Sequence, residues 1–375
     1  MFYKPDRSRS IVVTEDIRID IPRRLSQPQF GWLRHLGDLN FDVFEVANHT
    51  NDRPLQFVGK AILQNTGLSD KFSIPEDKLD RFLRYIGKGY RKSNPYHNEY
   101  HATDVTQTVY HFLYTLGLAQ YFGDREALAA IVAAMIHDFQ HPGVNNAYLV
   151  NSRSAEALLY NDHSVLENMH LAKAFQILSR DDCNIFCNLS AKDYQHVRTL
   201  IIQMVLNTDM SYHFELMGKF KSAVVVLREE ESEEVPNKTI MLILAMAVHC
   251  ADVSNPCKNK HIYGQWAQRV MEEFWNQGDL ETVNQMAISP MCDRHTVSIE
   301  KCQSSFIQFI VEPLYETFSI LMPELYEECI PNLHDNKEYW QNRLAILEGT
   351  KEQELELEQE QEQKKELNLD IEGDD

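Results

Sequence analysis

The stretch Ala127-Leu128-Ala129-Ala130-Ile131-Val132-Ala133-Ala134-Met135-Ile136-His137-Asp138-Phe139-Gln140-His141-Pro142-Gly143 decides how the rest of the chain is read. Its apolar, Ala-rich part reads as a buried helix. The helix runs into an adjacent His-Asp pair, a second His follows one turn later, and Pro-Gly stops it. A His-Asp pair fills a core poorly but holds a divalent metal well. Neutral imidazole suits a borderline ion such as zinc, and a carboxylate can bridge it to a harder one. Such pairs also arise by accident, so the reading depends on what other stretches supply.

Outward from this point the pattern stays helical. Before it lie Phe41 to Val46, Phe57 to Leu63, Leu79 to Ile86 and Val105 to Leu116, and the helix itself spans Arg125 to His137. After it come Glu156 to Tyr160, Ser164 to Leu178, Asp193 to Thr208, His213 to Arg228, Lys238 to His249, Ile262 to Asn276, Glu300 to Ile320 and Glu338 to Gly349. No sustained alternation of period two separates them. The expectation is an all-α, compact multi-helix domain over residues 30–348. Residues 1–29 read as an arm or linker, with Ile11-Val12-Val13 and Ile17 to Ile21 briefly strand-like. Arg228 to Lys238 reads as an acidic loop, and Gly278 to Thr296, with Pro290, as a flap beside the site. Residues 349–375 form an acidic Glu/Gln-rich tail whose like charges favour disorder.

Composition narrows the function. The chain has 375 residues, 43% of them apolar, enough for a large core. The formal charge is −20, and the tail from Lys351 contributes 11 acidic groups against 3 lysines. The rest is still acidic, which argues against a nucleic-acid partner. A small anionic substrate would need local metals to hold it. Seven cysteines, an odd number with no Cys-x-x-Cys, read as reduced thiols of a cytoplasmic protein. No apolar run reaches the length of a membrane span.

Two further stretches complete the metal set. In Tyr96-His97-Asn98-Glu99-Tyr100-His101 two histidines stand at i and i+4, on one face if the turn is helical. The pair alone also fits two structural histidines. His249-Cys250-Ala251-Asp252 ends a very apolar helix with an acid, unfavourable for burial and for the helix dipole unless a cation compensates. Asp252 alone also fits the cap of a following helix. Together His101, His137, Asp138 and Asp252 give two nitrogens and two carboxylates, a set that suits an open catalytic metal site.

The stretches Tyr96-His97-Asn98, His101-Ala102, Asp104-Val105, His137-Asp138, His141-Pro142-Gly143 and Asp252 with Ser254-Asn255-Pro256 resemble the catalytic domain of class I 3′,5′-cyclic nucleotide phosphodiesterases. So do Val165-Leu166-Glu167-Asn168, Asn207-Thr208-Asp209-Met210, Met271-Glu272-Glu273-Phe274 and Ser289-Pro290-Met291-Cys292-Asp293-Arg294. The resemblance covers roughly residues 30–345, and its C-terminal half is nearest the cAMP-preferring branches.

The resemblance implies zinc on His101, His137, Asp138 and Asp252, with Asp138 bridging to a second ion, magnesium or manganese. It implies His97 as general acid, with a ring pKa near neutrality. His141, Glu167 and Thr208 would order water around the metals, and Tyr96, Asn146 and Met210 would line the same floor. Gln303 would pair with the base, Phe306 would stack on it, and Val270 would close the other face. Asn255 and Tyr263 would favour adenine, with the Gln303 oxygen turned toward the 6-amino group. Ser304-Ser305, where Val/Ile-Gly is common, pulls toward dual specificity. Gln140 replaces an acid beside the second metal, and Met169 replaces a histidine.

The implied activity is hydrolysis of cAMP, cGMP or both to 5′-monophosphates, ending a cyclic nucleotide signal. Expected partners are the substrate, a second copy of the chain, and an upstream regulatory or sensor domain able to tether it to a membrane. Two other readings stay open: another phosphohydrolase of the His-Asp superfamily, and a non-catalytic cyclic nucleotide binding domain. Gln303, Phe306 and Asn255-Pro256 count against the first. An intact His97 counts against the second.

Overall fold

The computed structural model describes residues 28–229 and 235–372. The strand-like residues of the N-terminal arm and the centre of the acidic loop lie outside the described residues. After a 3-10 run at Pro28–His35 come α1 (Val43–His49), α2 (Pro54–Asn65), α3 (Leu68–Lys71), α4 (Glu76–Gly89), α5 (Glu99–Tyr110), α6 (Asp124–Ile136), α7 (Asn146–Asn151) and α8 (Ala155–Tyr160). The second half holds α9 (Val165–Leu178), α10 (Ala191–Leu206), α11 (His213–Glu229), α12 (Asn237–Asp252), α13 (Lys260–Val283), α14 (Ile299–Phe306), α15 (Glu312–Ser319) and α16 (Pro323–Glu372). No strand occurs among the described residues, so the fold is all-α.

Helix α6 is the axis. Every side chain from Ala127 to Ile136 is buried, because α2, α5, α9, α10 and α12 pack around it. A helix apolar on all sides can sit only there. Its alanines let neighbouring backbones come close, while Leu128, Ile131 and Met135 fill the gaps. Ile131→Ala would cost about 2–5 kcal/mol through lost burial and an unfilled cavity. The end of α6 is held from outside: the Tyr90 hydroxyl donates to the Met135 carbonyl at 3.0 Å.

Three elements differ from the sequence expectation. Helix α13 runs on to Val283, so the segment expected as a flap from Gly278 begins only at Asn284. Gly278 serves the packing of that segment: a Cβ there would sit 1.9 Å from the Cys292 carbonyl oxygen. The expected helix Glu300 to Ile320 is interrupted by a π turn at Ile307–Val311. The turn stands just before Pro313, which cannot donate an intrahelical bond. Helix α16 begins at Pro323, well before Glu338. Pro323 occupies the first turn, where its missing N–H costs nothing, but Pro331 lies inside and masks the helix in the sequence. The backbone stays helical to Glu372 although repulsion favoured disorder. From Lys351 to Glu372 there is no Gly or Pro, and Glu, Gln, Lys and Leu are strong helix formers. No helix among the described residues is long and apolar enough to cross a membrane.

Candidate active site

Three helix ends meet at one point. His101 lies in the first turn of α5, His137 and Asp138 follow α6, and Asp252 is the last residue of α12. His101 Nε2 is 3.2 Å from His137 Nε2, 3.0 Å from Asp252 Oδ1 and 3.4 Å from Asp138 Oδ2. His137 Nε2 is 3.1 Å from Asp138 Oδ2 and 3.2 Å from Asp252 Oδ1. His137 Nδ1 donates to the Ala134 carbonyl at 2.9 Å, which leaves the Nε2 lone pair facing the cluster. Two imidazole nitrogens and two carboxylates crowd one point, and Asp252 adds its charge to the negative end of the α12 dipole. A cation among them removes the repulsion, so the donor set fits a divalent ion of the zinc type.

Asp138 belongs to a second group with His141 and His170. His170 Nδ1 donates to the Phe139 carbonyl at 2.8 Å. Its Nε2 is buried with no hydrogen-bond partner and lies 3.7 Å from Asp138 Oδ1. Burial pulls His170 down to about 4 and His141 well below its ordinary value, so both are neutral at pH 7. The unpartnered Nε2 of His170, aimed at Asp138, suits a second ion or its water. Sequence reasoning passed over His170; its signal was the i+3 spacing from Glu167 along one helix face.

His97 is not on a helix with His101. Asn98 caps α5 by accepting from the Tyr100 N–H, and His97 stands just outside. Its ring stacks on His141 at 4.0 Å between centroids, and its Nε2 is 3.9 Å from Asp138 Oδ2. Its Nδ1 donates to Glu273 Oε1. Glu273 Oε2 accepts the backbone N–H groups of Tyr96 and His97 at 2.9 and 3.0 Å. Burial pulls the His97 imidazole down, but the charges of Glu273 and Asp138 outweigh it and hold it at about 9. That is above the neutrality expected from histidine alone. Burial likewise raises Glu273, and His97 overrides it, leaving the carboxyl at about 2. The pair is imidazolium and carboxylate at neutral pH, with Nε2 facing Asp138. Sequence reasoning noted Glu273 only within the stretch Met271-Glu272-Glu273-Phe274 and gave it no role, because nothing in that stretch pairs it with His97.

Asn146 Nδ2 donates to Glu167 Oε2 at 3.1 Å, and its oxygen accepts the Leu166 N–H. Burial, with Asp209 adding to it, pushes Glu167 up to about 7. The Thr208 hydroxyl donates back to the Val205 carbonyl at 2.8 Å, so only its lone pairs remain for water. Met210 is exposed on the rim. Asn94 ties the two histidine loops together by donating to the His97 and His141 carbonyls.

At the base end, Asn255 Oδ1 accepts from the Tyr96 hydroxyl at 2.5 Å and its Nδ2 donates to Asp104 at 3.2 Å. Gln303 is buried, and its Oε1 accepts from the Tyr263 hydroxyl at 2.7 Å. The oxygen is turned to Tyr263 with one lone pair to spare, and the amide NH₂ is left for a ligand. A phenol hydroxyl both donates and accepts, so Tyr263 does not by itself impose the adenine orientation. Val270 and Phe306 are half-buried on α13 and α14.

Comparison with known proteins agrees with this geometry. The family described as 3′5′-cyclic nucleotide phosphodiesterase matches residues 96–333. The 3′,5′-cyclic-AMP phosphodiesterase 4C of Rattus norvegicus is 43% identical over 323 residues, 83% of this chain and 59% of its own length. Isoform F of the Drosophila melanogaster 3′,5′-cyclic-AMP phosphodiesterase is 40% identical, over 82% of this chain and 48% of its length. The chain thus spans about half the length of these curated relatives. The crystal structure of the phosphodiesterase domain of the RhoPDE fusion protein from the choanoflagellate Salpingoeca rosetta superposes with a TM-score of 0.76 at 31% identity. The match covers 89% of this chain and all of that one. With the family matched over residues 96–333 and a relative 43% identical over 83% of the chain, the chain belongs to the 3′,5′-cyclic nucleotide phosphodiesterase family.

Proposed function

We propose that this chain hydrolyses purine 3′,5′-cyclic nucleotides to 5′-monophosphates and so ends a cyclic nucleotide signal. The observation that carries the reading is His97: its Nδ1 donates to Glu273 and its Nε2 lies 3.9 Å from Asp138. A binding module needs no proton donor at that place. In the reaction water adds to phosphorus, the P–O3′ bond breaks, and His97 Nε2 gives its proton to the departing O3′. His97 is then neutral and takes a proton back from the attacking water or from solvent. Glu273 keeps the His97 ring oriented throughout, and the stacked, neutral His141 does not compete for the proton.

His101, His137, Asp138 and Asp252 would hold zinc, and Asp138 with His141 and His170 nearby would serve magnesium or manganese. When bound, the ions supply Lewis acidity to the phosphoryl oxygens and lower the pKa of water beside them. His141, His170, Glu167 and Thr208 would orient that water. Gln303 and Phe306 would hold the purine, with Val270 opposite. The proposal extends to a cytoplasmic location, supported by seven unpaired cysteines, to a homodimer, and to an attached regulatory or sensor domain, supported by the greater length of the relatives. The test is product analysis on cAMP and cGMP. A 5′-monophosphate from either supports the reading. Release of inorganic phosphate from a nucleotide monoester, with both cyclic substrates untouched, refutes it.

A further inference from the structure

A fully buried ion pair lies behind the base end of the pocket. Lys258 Nζ is 2.9 Å from Asp104 Oδ1, and both side chains are 0% exposed. Lys258 also donates to Thr108 Oγ1 at 3.3 Å. Buried ion pairs are seldom retained for stability alone, because desolvation offsets their attraction. Here the pair reaches the pocket through one residue. Asp104 Oδ2 accepts from Asn255 Nδ2, and Asn255 Oδ1 accepts from the Tyr96 hydroxyl.

This arrangement fixes which way the Asn255 amide faces. A carboxylate paired with lysine can only accept, so it takes the NH₂ end. The Tyr96 hydroxyl donates to the oxygen end. Turning the amide over would set oxygen against carboxylate in a buried site. The amide keeps one N–H and one oxygen lone pair for a ligand, in a fixed order. That order matches the N7 acceptor and 6-amino donor of adenine, whereas guanine presents two acceptors along the same edge. Gln303 has no such device, since its partner Tyr263 can donate or accept.

We propose that Asp104 and Lys258 are positioning residues that lock the Asn255 amide and thereby select adenine over guanine. The proposal rests on the cyclic nucleotide reading above and assigns its base preference. The experiment measures kcat/KM for cAMP and cGMP, and the affinities for 5′-AMP and 5′-GMP, with wild type, the neutral double variant Asp104→Asn/Lys258→Met, and Tyr96→Phe. Thermal melts check folding. Wild type is expected to favour cAMP by roughly 5- to 100-fold, the range for one bidentate base contact. In the double variant the ratio falls toward one, through KM more than kcat, and the AMP/GMP affinity ratio falls with it. Tyr96→Phe leaves the ion pair intact but frees the other end of the amide, so it lowers the ratio even if the double variant does not fold. A wild type without cAMP preference, or folded variants that keep the wild-type ratio, overturns the lock. A wild type that hydrolyses neither nucleotide overturns the functional reading itself.

Discussion

At the floor of the pocket His101, His137, Asp138 and Asp252 all stand at or beside a helix end: the start of α5, the exit of α6 and the last residue of α12. At the base end, Asn255 sits in a 3-10 turn that is held by side chains of a distant helix. Asn332 Nδ2 of α16 donates to the Cys257 carbonyl at 2.8 Å, and Asn336 Nδ2 donates to the Pro256 and Lys258 carbonyls at 2.9 and 2.8 Å. The segment leading to Gln303 is held in the same manner. Glu281 accepts from the Ser289 N–H and hydroxyl, and Arg294 grips Asp279 with two nitrogens. The floor is therefore as rigid as the core helices that carry it. The base end depends on individual hydrogen bonds, so its preference can change without disturbing the metals.

Five variants would break or sharpen this contrast. The largest effect is expected at the floor: Asp138→Ala or Asp252→Ala brings turnover to background and lowers metal content by mass spectrometry, in a protein that still melts cooperatively. Wild-type turnover in either variant would remove the metal assignment. Next, His97→Ala lowers kcat by roughly 10²- to 10⁴-fold with metal content retained. Loss of metal instead would mean that His97, not His101, is a ligand. Glu273→Gln acts through His97. The imidazole pKa is raised to about 9, so the proton is present below that pH and lost above it. Activity accordingly declines as pH rises through about 9, and removing the Glu273 charge moves that alkaline limb to lower pH. An unmoved limb would show that Glu273 does not charge His97. The smallest effect belongs to the base end: Asn336→Ala strands buried carbonyls, costing about 1–3 kcal/mol in a denaturant melt. It raises KM while leaving kcat and metal content alone. A drop in metal content would show that the two regions are not separable.

The two regions were also unequally legible in the sequence. The floor could be read because its ligands lie in short runs at helix boundaries, where an acid or a histidine breaks an apolar pattern, as at Ile136-His137-Asp138 and Ala251-Asp252. Its electrostatics could not: Glu273 is remote in the chain, and only folding brings it to His97 and holds that ring at about 9. Gln303 and Phe306 were found by family resemblance, since a glutamine and an aromatic on a helix have no period that marks a site. The bracing by α16 was invisible, because Pro331 disguised the helix that carries Asn332 and Asn336. The buried Lys258 gave no sign either, since a lysine after a turn normally reads as surface.

The most direct test of the account is a metal titration. The protein is stripped with a chelator, then zinc and magnesium are added back singly and together while cAMP turnover is followed. The account predicts no turnover in the stripped protein, and full recovery only with both ions. It also predicts that His170→Ala shifts the magnesium requirement upward by roughly 10- to 100-fold at unchanged zinc content. Turnover that survives complete metal removal would contradict the claim that the junction of α5, α6 and α12 is the catalytic centre.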